Sequence, residues 1–191
     1  MTAAQLLRSA RETSGLTQAE LSRRARTSQP DISTLERGSR VPTADTLERL
    51  LGVLGHVVVA IPSIGPDAAA TAERIRTALT RGSDDGALRA LIDYSDALAR
   101  ETGTNRIALC LARPARTGHP VWDAALAGLV EWRLGQEQFP KPQWIDDADR
   151  FLPEVTELIR IPHAPAIERT DVAREFLRRN VLVERGTFAS V

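Results

Sequence analysis

The 191-residue chain is predicted to be mainly α, with a small helical domain at about 1–62 and a second, mainly helical domain at 67–191. Three observations predict this. Apolar residues recur at three- and four-residue spacing through most of the chain. Ser, Thr or Asp precedes several of those runs, where helix caps belong. Residues 61–66 break the pattern with two prolines and a glycine and read as a linker. The length suits one medium domain or two small ones, and 42% apolar residues support a core.

The elements follow in order. Residues 3–13 place Ala3, Leu6, Leu7 and Ala10 on one helical face, and Gly15 supplies the stop. Thr17 caps a short helix over 18–25, with Glu20 completing a capping box and Leu21 and Ala25 inward. Arg26 and Thr27 form a tight turn. Ser28 caps a third helix that carries Pro30 in its first turn, buries Ile32 and Leu35 and ends at Gly38. Thr43 or Asp45 opens a fourth, burying Leu47, Leu50, Leu51 and Leu54.

Val57, Val58, Val59, Ala60 and Ile61 are too few for a helix and read as a strand. Such a strand needs a partner for its backbone groups. A copy in a second subunit would make Val57, Val58, Val59 and Ile61 the dimerisation residues. A strand of the C-terminal domain is the alternative, and the sequence leaves both open.

Beyond the linker, residues 67–80 and 87–100 read as helices separated by a turn at 82–86. Thr104 is the expected cap of a helix over 105–112, which Pro114 stops. Residues 121–134 form an apolar-rich helix. Residues 139–142 are a break across which Trp144, Ile145, Phe151 and Leu152 pack. A last helix is expected at 172–179, with a strand at 181–183.

The charge is more informative in parts than in total. Twenty-five basic and 25 acidic residues give zero net charge, and all the basic ones but Lys141 are arginine. Residues 1–40 hold seven arginines against four acids, a net +3; residues 117–191 hold nine cations against twelve acids, a net −3. A basic head and an acidic tail therefore cancel.

Several classes are disfavoured. No apolar run approaches the roughly 18 residues of a membrane span, and the N-terminus has no apolar leader segment, so a cytoplasmic protein is expected. One cysteine, Cys110, excludes an internal disulfide, and its apolar surroundings read as a buried, inert thiol. His56, His119 and His163 are far apart, so no metal site is expected. Asp146, Asp147 and Asp149 read as a solvated acidic turn. No phosphate-binding glycine loop or nucleophile motif occurs. No catalytic residue, cofactor or enzyme activity is expected.

The run from Leu16 to Ser22, then Ser28 to Gly38, then Pro42 and Leu47, resembles the helix-turn-helix of the Cro/phage-repressor (XRE) family over about residues 4–55. The resemblance implies a five-helix, lambda-repressor-like domain that binds double-stranded DNA. It places Gln29 and Thr34 at base-reading positions, with Ser33 a further candidate, and Gln18 at a phosphate-contacting position. The residue chemistry agrees: the outer face of the third helix carries Gln29, Asp31, Ser33, Thr34 and Arg37, with Ser28 at its start. Gln pairs bidentately with adenine, and Thr offers a hydroxyl and a methyl to thymine. Arg37 and Arg40 are expected on phosphates. Asp31 has two readings, a cytosine contact or a partner of its own helix dipole. Pro30 stands where some members carry a second base-reading amide, which implies sparser readout. A charge of only +3 implies weak binding per monomer and a homodimer on an inverted-repeat operator, with half-sites about one helical turn apart.

Three C-terminal stretches, 118–126, 140–144 and 176–183, resemble the C-terminal region of actinobacterial helix-turn-helix proteins that are themselves similar to toxin–antitoxin antitoxins. This implies a transcriptional regulator, a repressor and autoregulating antitoxin, whose second domain binds a toxin protein. Trp122, Trp132, Trp144, Phe151 and Phe176 are then core or interface. The alternative is a one-component regulator whose second domain senses a small molecule, for which a closed, mostly apolar pocket of about 300 Å³ or more is expected.

Overall fold

A computed structural model describes residues 2–60, 62, 65–160, 163 and 165–189. The chain divides into two compact units, Met1–Ile61 and Pro62–Val191. The expected predominance of helix is what the structure has, with little strand. Ile61 and the linker residues Ser63 and Ile64 lie outside the described residues.

The first unit holds four helices among the described residues: α1 (Ala3–Thr13), α2 (Gln18–Arg24), α3 (Gln29–Glu36) and α4 (Ala44–Val53). Each begins where a hydroxyl can accept a free backbone N–H: Thr2, Thr17, Ser28 and Thr43 accept from Gln5, Glu20, Asp31 and Thr46. Thr2 with Gln5 and Thr17 with Glu20 form full capping boxes. Leu7, Ala10, Leu21, Ile32, Leu35, Leu50 and Leu51 meet in one buried cluster.

Two expectations are corrected here. No fifth helix is present among the described residues of the first unit: Gly55, at φ +77°, ends the run after α4, and the β-branched residues that follow are poor helix formers. Nor do residues 57–60 form a strand, because a strand exists only through ladder bonds to a partner. Val57 and Val59 stand 85% and 68% exposed.

The second unit is built around α8 (Pro120–Gly135), which follows α5 (Ala68–Thr80), α6 (Asp84–Arg100) and α7 (Gly103–Leu111). Trp122, Leu126, Leu129, Val130 and Leu134, spaced by buried alanines, make α8 apolar on nearly every side. A helix of that kind must be interior. It packs against α5, α6, α7 and the one-turn helix α9 (Arg174–Leu177). Its buried charges all have partners. Asp123 accepts from Arg150 and the Thr117 N–H, Glu131 from Lys141, Arg178 and Arg179, and Arg133 donates to Ser95 and the Phe188 carbonyl.

Local boundaries moved for identifiable reasons. α6 starts at Asp84, three residues early, because the Ser83 hydroxyl caps it and Asp84 and Asp85 complement its dipole. Thr104 lies inside α7 and caps nothing, since the helix already begins at Gly103. α9 is short because Val172 bridges Glu184 on one side and Asn180, at φ +58°, turns the chain on the other. Two short strands, β1 (Thr156–Glu157) and β2 (Val181–Leu182), pair in parallel, Thr156 with Val181 and Glu157 with Leu182.

Trp122, Trp144 and Phe176 are core, while Trp132 and Phe151 are half-buried. The acidic turn is less free than expected: Asp146 pairs with Arg178, Asp147 with Arg113 and Asp149 with Arg116. Among the described residues, no helix is long and apolar enough to cross a membrane, and no group of three or more His, Cys, Asp or Glu is placed to hold a metal ion.

Candidate nucleic-acid interface

The site is the outer face of α3 and the turn that leads into it. Ile32, Leu35 and Glu36 point inward, so helical periodicity turns Pro30, Thr34 and Arg37 outward with Ser33 beside them, while Gln29 is exposed because it is the first residue of the helix. The turn from α2 is tight. Thr27 donates its N–H back to the Ser22 carbonyl at 2.9 Å, and Arg26 takes φ +52° in the left-handed region. Arg49 of α4 donates to the Ala25 carbonyl, closing the C-terminal end of α2.

A buried ion pair sets the angle between the helices. Arg11 of α1 donates Nε and Nη2 to the two Glu36 oxygens at 2.6 and 2.9 Å, and its Nη1 to the Leu16 carbonyl at 2.9 Å. Gln18 Nε2 donates to the same carboxylate at 2.9 Å. Burial pushes the Glu36 carboxyl up, but the bonds from Arg11 and Gln18 outweigh it and hold it below its ordinary value. Gln18, expected on a phosphate, thus spends one of its two amide N–H donors on this network.

The remaining residues divide into engaged and free groups. Ser28 caps α3 and donates to the Asp31 carboxylate at 2.6 Å, with Thr27 at 3.3 Å and Arg40 at 3.8 Å. The Ser28 bond, more than the other contacts, holds the Asp31 carboxyl low. Asp31 is therefore occupied within its own helix turn. Thr34 donates its hydroxyl to the Pro30 carbonyl at 2.8 Å, which leaves its methyl and lone pairs outward. The Gln29 amide and the Ser33 hydroxyl make no internal hydrogen bond among the described residues. Gln29 is exposed, Ser33 partly so.

Arginine frames this face. Arg37 and Arg40 are exposed just beyond the end of α3, and Arg26 is exposed in the turn before it. Arg26 and Arg37 have no carboxylate partner among the described residues. Residue-by-residue reading passed over Arg26, although the 23–26 run Arg-Arg-Ala-Arg carries the signal.

With that geometry in view, one comparison decides the class of the unit. Residues 3–57 match a helix-turn-helix domain. No curated protein and no solved structure matches the chain. The helix-turn-helix domain spans all four helices of the first unit, with α2 and α3 as its two central helices, and supports DNA binding by this chain. The matched segment stops short of the second unit.

Proposed function

We propose that this protein is a sequence-specific transcriptional regulator of the Cro/phage-repressor (XRE) kind, a repressor acting as a homodimer on an inverted-repeat operator. The observation that carries the reading is the outer face of α3: unengaged Gln29 and Ser33, held by the Arg11–Glu36 network and flanked by Arg37 and Arg40. Gln29, Ser33 and the Thr34 methyl read bases, while Gln18, Ser28, Arg37 and Arg40 position the domain on phosphates. Asp31 serves by fixing Ser28 and Arg40. The exposed valines at 57–59 supply the self-pairing segment, which gives each monomer's weak charge a second half-site. The reading assigns no catalytic role to any residue and places the protein in the cytoplasm.

An operator-shift titration tests this. Gln29→Ala should lose discrimination between the operator and a scrambled duplex, whereas Arg40→Ala should weaken both alike. Undiminished operator preference in the Gln29 variant sinks the base-reading role. Val57→Lys with Val59→Lys should turn a sedimenting dimer into a monomer.

For the second unit, the antitoxin resemblance supports a toxin protein as partner, tested by co-purification with the product of the adjacent gene. The small-molecule reading has one specific observation in its favour. A cleft of about 290 Å³, walled largely by aliphatic side chains, opens beside β1 and β2; it is partly open to solvent and is not the closed pocket of about 300 Å³ or more that the sequence predicts for a sensor.

A further inference from the structure

We infer that this cleft is a binding site for a small organic cation with an apolar body, such as an aliphatic amine. The inference names the ligand class of the small-molecule reading and rests on that reading only for its regulatory meaning. The walls come from Leu88 of α6, Leu158 and Ile159 at the end of β1, Ile167, and Leu182 and Val183 at β2. Around them stand three carboxylates, Asp85, Glu157 and Glu184, and the Thr187 hydroxyl. Among the described residues, no cationic side chain lines the cleft.

The acids are notable for what they do not do. Several carboxylates of this unit are matched to arginines, among them Glu131, Asp146, Asp147 and Asp149, while others on the open surface, such as Glu154 and Asp171, form no ion pair among the described residues. Asp85, Glu157 and Glu184 form no ion pair among the described residues. Asp85 sits in the first turn of α6, where the helix dipole offsets part of its charge. Glu157 and Glu184 have no such compensation, and with Asp85 they are the charged side chains on the wall of the cleft. An apolar slot under uncompensated negative charge favours a ligand with a cationic head and a hydrocarbon tail, and repels the matching acid. The volume lies at the small end for ligand pockets, which points to a single short amine and away from a folded protein segment.

Calorimetric titration of the full-length protein with octylamine, octanol and octanoate tests the site. The amine is fully protonated at neutral pH, so the three probes differ chiefly in the charge of the head group. Octylamine should bind at least about fivefold more tightly than octanol, and octanoate should bind weakest. Glu157→Gln combined with Glu184→Gln should reduce the amine to the level of the alcohol. Glu154→Gln, an exposed acid outside the cleft, should leave the preference intact, and circular dichroism confirms that each variant is folded. Equal affinity for amine and alcohol, tight octanoate binding, an amine preference that survives the double substitution, or no octylamine binding at millimolar concentration overturns the inference. Binding of an arginine-rich peptide in place of the amine overturns it as well. An operator-shift titration with octylamine separates the two readings. Amine binding that leaves DNA affinity unchanged keeps the site and removes the sensor role.

Discussion

Arg11 of α1 and Glu36 at the end of α3 are joined by two parallel hydrogen bonds, with the Glu36 side chain wholly buried and Arg11 12% exposed. The pair ties α1 to α3 through residues twenty-five positions apart. Removing one partner leaves the other desolvated and unmatched. Glu36→Ala should therefore destabilise the first unit by about 2–3 kcal/mol in urea unfolding, and should weaken operator binding by disturbing α3.

The same carboxylate sets an acid response. Its pKa in the folded unit lies below the ordinary 4.5, so its stabilisation is fully present above that pH and fades as pH falls through the folded value. Glu36→Gln should lower stability at pH 7 and flatten the loss between pH 5 and 3. Urea midpoints measured across that range check it; parallel curves for the two proteins would assign the acid response elsewhere.

Arg26 is a non-glycine residue in the left-handed region, with an exposed side chain. That conformation costs an L-residue about 1–2 kcal/mol, partly offset by the extra unfolded-state freedom a glycine brings. Arg26→Gly should raise stability by about 0.5–1 kcal/mol in denaturant titration. It should also weaken DNA binding at low salt and reduce its salt dependence, since a cation beside α3 is lost.

Gly128 lets Phe176 lie directly against α8. A Cβ there would come within 2.9 Å of Phe176 Cδ1, while Phe176 stacks on Phe188 at 5.6 Å. Gly128→Ala should cost about 1–3 kcal/mol by overpacking. Thermal unfolding of the second unit reads this directly.

Cys110 is fully buried, and burial pushes its thiol up to about 11 against the lowering effect of the Tyr94 hydroxyl. At pH 8 only about a thousandth of it is thiolate in the folded protein. Labelling by a thiol reagent should be slow in native buffer and follow the unfolding of the second unit in denaturant. Fast native labelling would show that the core around α8 opens locally.

Local chemistry alone placed most of the first unit. Thr17 with Glu20, Ser28 with Pro30, and the leucine spacing act within a few residues, so caps and faces were legible without tertiary structure. The destination of a long side chain was not. That Gln18 turns to Glu36, that Arg11 supplies the partner, and that Thr34 bonds back to Pro30 depend on helices meeting at particular angles. In the second unit, one-turn elements such as α9 are made by tertiary bridges, and their periodic residues overstate their length.

The helical class, the four helices of the first unit and the polar outer face of α3 were determined by the sequence itself, because capping and amphipathic periodicity are short-range effects. The absence of a strand at 57–60 within one chain, the pairing of Asp146, Asp147 and Asp149 with arginines, and the three acids around an aliphatic cleft were decided only by tertiary structure. Charge compensation depends on which side chains come within a few ångströms, and the order of residues along the chain does not state that.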